Sequence, residues 1–540
     1  MTRRRLTLPM IAATLGAVLA GAGGAAAADL CVDRTGCDAG NTFTGDLQAA
    51  LDAAAATPAA DRVLIGPGTY VRAGATGFSY TSSSPVEIVG NEGEATVVAT
   101  SPTLAQNGVA IAVMNGAHVV RDLDVFVGHA NRRGIRVGGT SVLRDSLVTT
   151  EVGLAATGVE MFGSAILERV QVIQEGSAQA DAVVAFCGCT IRDGSIATQG
   201  YGVRISGSPV LIERTRIRGL RGIDADGSGA TVRDSLIQVV GAGGVGVRAE
   251  NFNAGPGPIA HTLERVTIAG DGSPGQVGVR AAADDGTESA AVTIDGSIVT
   301  GVATPLSRSA AGGRPANITV RYSNLTGGAN VDENTGGGTG AITATDRVTA
   351  LPVAFTNPVQ GDFSLQAGSS LIDAGDPAAV LAGITDLGGT ARPLDGNGDG
   401  AAVVDLGAVE SPAVPQAPPV TPPATAPDPD VTAGPTVSAP VITDLTPPRL
   451  RGGLLLRPSM RLRVSVAEAA RLTVRLQRLV GTRWVNTGTL IRRTTVRRTL
   501  LTVPLATPRV AGIHRVVVTA VDGAGNTFLL RGSRIRLGAR

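Results

Sequence analysis

The residues best placed to do chemistry in this chain come as doublets of opposite charge. Arg144-Asp145, Glu168-Arg169, Arg192-Asp193, Glu213-Arg214, Arg233-Asp234 and Glu264-Arg265 each follow a buried-type apolar residue. They recur every 20 to 24 residues, and about every 30 where Gly/Pro-rich insertions such as Asn251–Pro258 intervene. A fixed period of this size marks a solenoid, in which equivalent positions of successive coils stack at ~4.8 Å. The first charged position then alternates Arg, Glu, Arg, Glu, Arg, Glu down the stack, and the second alternates Asp, Arg, Asp, Arg, Asp, Arg. Opposite charges on neighbouring strands are favourable by ~0.2–1 kcal/mol per pair. These carboxylates therefore read as a ladder that sets register, not as catalysts.

Other candidates are sparse. Asp395, Asn397 and Asp399, followed by Gly400, have the spacing of a calcium loop, with Asp405 as a further ligand. An EF-hand would want Glu where Leu406 stands, so bound Ca²⁺ and a plain Asx/Gly turn are both open readings. Cys31 and Cys37 are expected to close a small disulfide loop, while Cys187 and Cys189 suit either a strained local disulfide or two stacked thiols. His118, His129, His261 and His514 share no metal-ligand spacing and are expected at surface or turn positions. Asp284-Asp285 lies in an insertion and lacks a hydrolase signature around it. The absence of Lys excludes a Schiff-base or general-base lysine.

The elements that carry these residues follow from periodicity. Gly134-Ile-Arg-Val137, Gly158-Val-Glu-Met161, Gly202-Val-Arg-Ile205 and Gly222-Ile-Asp-Ala225 alternate with period 2, so they are strands with one buried face. Two consecutive charges cannot both follow that alternation into a dry core, so each doublet marks a corner with both charges outside. Leu143, Leu167, Ile191, Ile212, Val232 and Leu263 point inward before it, and Val148, Val172, Ile196, Ile217, Ile237 and Ile268 after it. Asp46–Ala56 predicts the one clear helix. That helix leads through a strand into Gly66-Pro-Gly-Thr-Tyr70, an entry that resembles pectate-lyase-like right-handed parallel β-helix proteins. The resemblance implies that the helix caps the open end of a solenoid of about eleven coils between residues 62 and 350.

The full reading is an all-β chain: 1–28 a signal peptide, 29–61 an N-terminal cap, 62–350 the β-helix, 351–411 a tail, 412–448 a Pro-rich linker, and 449–540 an Arg-rich β-sandwich. Leu371-Ile-Asp-Ala-Gly375 and Asp405-Leu-Gly-Ala-Val-Glu410 are similar to the tail of the bacterial choice-of-anchor Q family, a surface-protein module with no agreed catalytic residues. Val518–Asn526 is similar to the late strand and turn of bacterial immunoglobulin-like or fibronectin-like domains, and Trp484 is expected to pack in that sandwich. Residues 441–540 carry 19 Arg against Asp444, Glu468 and Asp522, whereas residues 29–440 carry 24 Arg against 42 acidic residues. That asymmetry favours an anionic cell-wall polymer or polysaccharide as partner, or docking of the basic segment on the acidic one. Export and the lack of interleaved aromatics argue against nucleic acid. A secreted or wall-associated monomer that binds carbohydrate without cleaving it is the first expectation. A divergent polysaccharide lyase or glycoside hydrolase is the second.

Overall fold

The structure is a computed structural model. It describes residues 26–413, apart from 92–94, 152–154, 176, 251–257, 285–287 and 380, together with the strands between 442 and 537. Residues 1–25 of the stretch read as a signal peptide, and most of the stretch read as a linker, lie outside the described residues. No helix among the described residues is long and apolar enough to cross a membrane.

Each coil of the chain visits three sheets in turn, giving a parallel β-helix of about eleven turns. Sheet A has 14 strands, sheet B 12 and sheet C 11, and every neighbouring pair is parallel. The interior is built from the predicted columns. Leu143, Leu167, Ile191, Ile212, Val232 and Leu263 stand in register along sheet A, and all are buried. After the corner, Val148, Val172, Ile196, Ile217, Ile237 and Ile268 do the same in sheet B. The helix Leu47–Ala55 is capped by Asp46, whose side chain accepts from Ala49 N at 2.9 Å. Its Leu47, Ala50, Leu51 and Ala54 are buried in the same core. The solenoid starts earlier than the expected residue 62, because Asp29–Val32 already pairs with Asp61–Ile65 in sheet A. Cys31, which pairs with Leu64 in that register, is joined to Cys37 by a disulfide, and the sulfurs of Cys187 and Cys189 are placed against each other.

The corner has a definite conformation. Asp145, Arg169, Asp193, Arg214, Asp234 and Arg265 all have φ between 43° and 56°. Asp tolerates this left-handed region, whereas for Arg it is uncommon. Each Arg is held there by the Asp of the preceding coil: Arg169 Nε to Asp145 Oδ1 at 2.8 Å, Arg214 to Asp193 at 2.7 Å, Arg265 to Asp234 at 2.9 Å. In the first column Arg192 Nη2 lies 2.8 Å from Glu168, and Arg233 Nε lies 2.9 Å from Glu264. These contacts fall in groups rather than in one continuous run. Arg144 departs from the ladder, reaching Glu87 two coils back at 3.9 Å. Asp234 and Arg265 are also buried, contrary to the expectation that both charges lie outside, because the tail covers them. Reversing a partly buried member, Glu168→Arg, sets Arg192 and Arg169 against a third cation. It should lower stability by about 1 kcal/mol, read as a denaturant midpoint that recovers in high salt.

The tail packs on the solenoid. Leu365, Leu371, Ile372, Ala374 and Leu406 pack on Ile298 outside sheet B, and Phe363 packs on Leu236 and Ala269. Gly407 N donates to Gly296 O at 2.7 Å and Ala408 N to Thr267 Oγ1 at 2.9 Å. Beyond it, two antiparallel sheets of three and four strands form from Ile442–Thr446 onward. The first of these strands falls inside the stretch read as linker. The side chain of Trp484 and residues 523–526 lie outside the described residues.

Candidate functional site

The densest chemistry is on the outer face of sheet C. Its strands Arg133–Val137, Thr157–Met161, Asp181–Ala185, Tyr201–Ile205, Arg221–Ala225, Val245–Glu250 and Val277–Ala283 are short and in register. Their pleat puts Arg136, Glu160, Val184, Arg204, Asp224, Arg248 and Arg280 in one outward column. Asp181, Tyr201 and Arg221 occupy a second column at the strand starts.

Most carboxylates here are clamped. Glu160 is 2.6 Å from Arg133 and 2.7 Å from Arg136, and Asp224 is 2.6 Å from Arg248. Both are almost fully covered. Asp181 is held less tightly, with Arg204 Nε at 3.3 Å. Burial is the main cause that raises its pKa to about 6; Arg204 opposes the rise, and Asp224 and Glu160 add to it. Burial also raises Glu250, which lies 3.4 Å from both Arg248 and Arg280. Beside Asp181 is a recess of about 150 Å³, lined by Asn131, Arg132, Arg133, Thr157 and Gln179 among others.

Aromatic rings, scarce in this chain, gather on the same face. Tyr201 is sandwiched between the guanidiniums of Arg204 and Arg221, at 4.2 and 4.8 Å. Phe162 and the exposed Phe186 stack at 4.9 Å, with Arg136 5.4 Å over Phe162. Guanidiniums beside flat rings can hold carboxylates, hydroxyls and the apolar faces of sugars together. Asp181 adds a carboxyl whose proton is exchangeable near neutral pH.

The calcium-loop residues split. Asp395, Asn397 and Asp399 stay together, but their oxygens accept local backbone amides, including Gly398 N at 2.7 Å, Asp399 N at 2.8 Å and Ala401 N at 2.9 Å. Asp405 faces elsewhere, accepting from Asp373 N at 2.8 Å and Ser411 N at 2.6 Å. Among the described residues no three His, Cys, Asp or Glu side chains converge as metal ligands.

The histidines correct their expected placement, since His118, His261 and His514 are buried. His118 lies edge-on to Tyr80 at 5.0 Å with Nε2 3.1 Å from Met114 O, and burial lowers its pKa. His261 accepts from Ala230 N at 3.0 Å, and burial pushes it down to about 4. A neutral imidazole with backbone partners is cheap to bury. His129 is half-buried near Thr100, and Asp284 takes the Ser309 hydroxyl at 2.6 Å, while Asp285 lies outside the described residues.

No family model matches the chain, and no curated protein matches it. Among solved structures it is similar to the crystal structure of pectate lyase Pel9A. The two share 14% sequence identity with a TM-score of 0.44, and the match covers 73% of this chain and 98% of that one.

Proposed function

We propose that this chain is an exported surface protein that holds an acidic polysaccharide on the outer face of sheet C without cleaving it. The observation that carries this reading is the Arg204–Tyr201–Arg221 sandwich beside Asp181, continued along the stack by Arg136 and the Phe162–Phe186 pair. Cations beside aromatic rings, with Tyr201 buried beneath its two guanidiniums and Phe186 exposed, suit uronate units, and one strand per coil gives them a repeating platform. Non-catalytic binding is favoured because Glu160 and Asp224 are locked under guanidiniums rather than left facing a sugar. Asp181, with its mobile proton, favours the second reading, a lyase or hydrolase. The charged leader, the anchor-like tail phrases and the basic C-terminal strands support export and wall attachment.

The test is retention of the mature chain on acidic and neutral glycans, with assays for new unsaturated or reducing ends. Salt-sensitive retention on acidic glycans, weakened at least tenfold in Arg204→Ala, is expected. Release of new chain ends would move the protein to the enzyme reading, and no retention at all would end both. The pH dependence has a definite sign. Asp181 is neutral below about 6 and anionic above it, so retention of a polyanion should strengthen as pH falls through 6. That dependence should vanish in Asp181→Asn.

A further inference from the structure

A second concavity lies on a different face. The tail segment from Val353 to Phe363 stands beside sheet B and leaves a groove of about 760 Å³. Its floor is one outward column in register, Arg218, Gln238, Ala269 and Thr300, one residue per coil. Three steps of ~4.8 Å make that column about 14 Å long. One wall carries Phe355 and Phe363, edge to face at 5.0 Å. The other carries Asp271, fixed by Gly241 N at 3.1 Å, Ser273 N at 3.0 Å and Gln276 Nε2 at 2.7 Å.

Arg218 is the unusual member. Arginines on the corner and on sheet C sit on carboxylates, whereas Arg218 is exposed and, among the described residues, has no ion pair and no side-chain hydrogen bond. The side-chain amide of Gln238, directly next to it in the column, makes no hydrogen bond among the described residues either. An unpaired guanidinium and an amide one strand apart, with a hydroxyl two strands further on that accepts from Thr326 Oγ1 at 2.7 Å, stand against a phenylalanine wall and match an extended saccharide that carries carboxylates.

We propose that this groove is a second acidic-saccharide site. A carboxylate rests on Arg218, hydroxyls bond Gln238 and Thr300, and an apolar sugar face lies on Phe355. The inference takes its ligand class from the function proposed above, but it concerns other residues on another sheet. Two sites on one rigid solenoid let a long polymer bind at both, so avidity exceeds either affinity.

The experiment is calorimetric titration of the full chain with tetragalacturonate, for the wild type, Arg218→Ala, Gln238→Ala and Arg204→Ala, with melting curves as a folding control. Two sites are expected in the wild type. Arg218→Ala should remove one of them and Gln238→Ala should weaken it several-fold, with unchanged melting. A titration untouched by Arg218→Ala overturns the groove and leaves the sheet C reading standing. Loss in Arg218→Ala with none in Arg204→Ala keeps the groove and overturns the sheet C site. No binding by the wild type overturns both.

Discussion

Arg392→Met should cost about 3–5 kcal/mol and free the tail from the solenoid. Arg392 is fully buried where the tail meets the corner column. Nη1 lies 2.8 Å from Glu410 Oε2, Nη2 donates to Gly407 O at 2.8 Å, and Nε is 3.1 Å from Asp234 Oδ1. Met fills similar volume but leaves a sequestered Glu410 without its cation. Asp234 keeps Arg265, so the damage falls mainly on Glu410. Burial raises the Glu410 pKa to about 7, against the pull of Arg392. Because the folded value lies above the unfolded 4.5, the folded chain holds this proton longer. The stability it contributes is fully present below pH 4.5 and is lost as pH rises through 7. Without Arg392 the fall should extend to higher pH. Denaturant unfolding from pH 4 to 9 reads both effects, and adding Glu410→Gln should recover part of the loss. An unchanged midpoint in Arg392→Met would mean that the tail is held by its apolar packing and its bonds to Gly296 and Thr267, without help from this cation.

The interior was legible because it depends on local periodicity. Alternation assigns Leu167 and Val172 inward without knowledge of any neighbour, and the intervening doublet Glu168-Arg169 forces a corner between them. The left-handed backbone of Arg169 was not legible, since it needs Asp145 from another coil to hold the guanidinium. Sheet C was half visible. Arg136, Glu160, Arg204 and Asp224 are the variable residues of the Gly-led strand phrases, so their outward direction follows from the pleat. Which column lies beside them, with Asp181 and Tyr201, depends on turn lengths between coils, and spacing along one strand carries no such information. The contacts inside the tail were hidden for a related reason. Asp386, Arg392, Asp405 and Glu410 look like separate turn residues, yet Asp386 Oδ2 accepts from Glu410 N at 2.8 Å and Glu410 from Asp405 N at 3.1 Å. Asp405 was drawn toward a calcium loop by proximity in sequence. A buried carboxylate takes the backbone donors it is folded against, and these came from Asp373 and Ser411.

Gly222→Val should cost about 1–3 kcal/mol and displace the saccharide face with it. Gly134, Gly158, Gly202, Gly222, Gly246 and Gly278 hold the same inward position near the start of successive sheet C strands. A Cβ on Gly222 would come 2.5 Å from Gly246 O and closer still to Ile237 Cγ2. The first of these is backbone, fixed by the ladder bonds between coils, so it cannot step aside as a side chain would. Ala182 occupies this position in its own coil and is fully buried, so the stack accommodates a methyl where the coils have settled around it. Gly222→Ala brings the same Cβ against Gly246 O, so it should already cost a large part of what Gly222→Val costs, and the gap between them measures the added methyl groups. Arg221 precedes this glycine and Asp224 follows two places later. A coil pushed off its neighbour would separate Asp224 from Arg248, now 2.6 Å away, and open the guanidinium sandwich on Tyr201. Glycan retention should then fall along with the melting temperature. A Gly222→Val chain that melts and binds as the wild type would show that the coils can part without cost, and sheet C could not be the rigid platform that polymer binding requires.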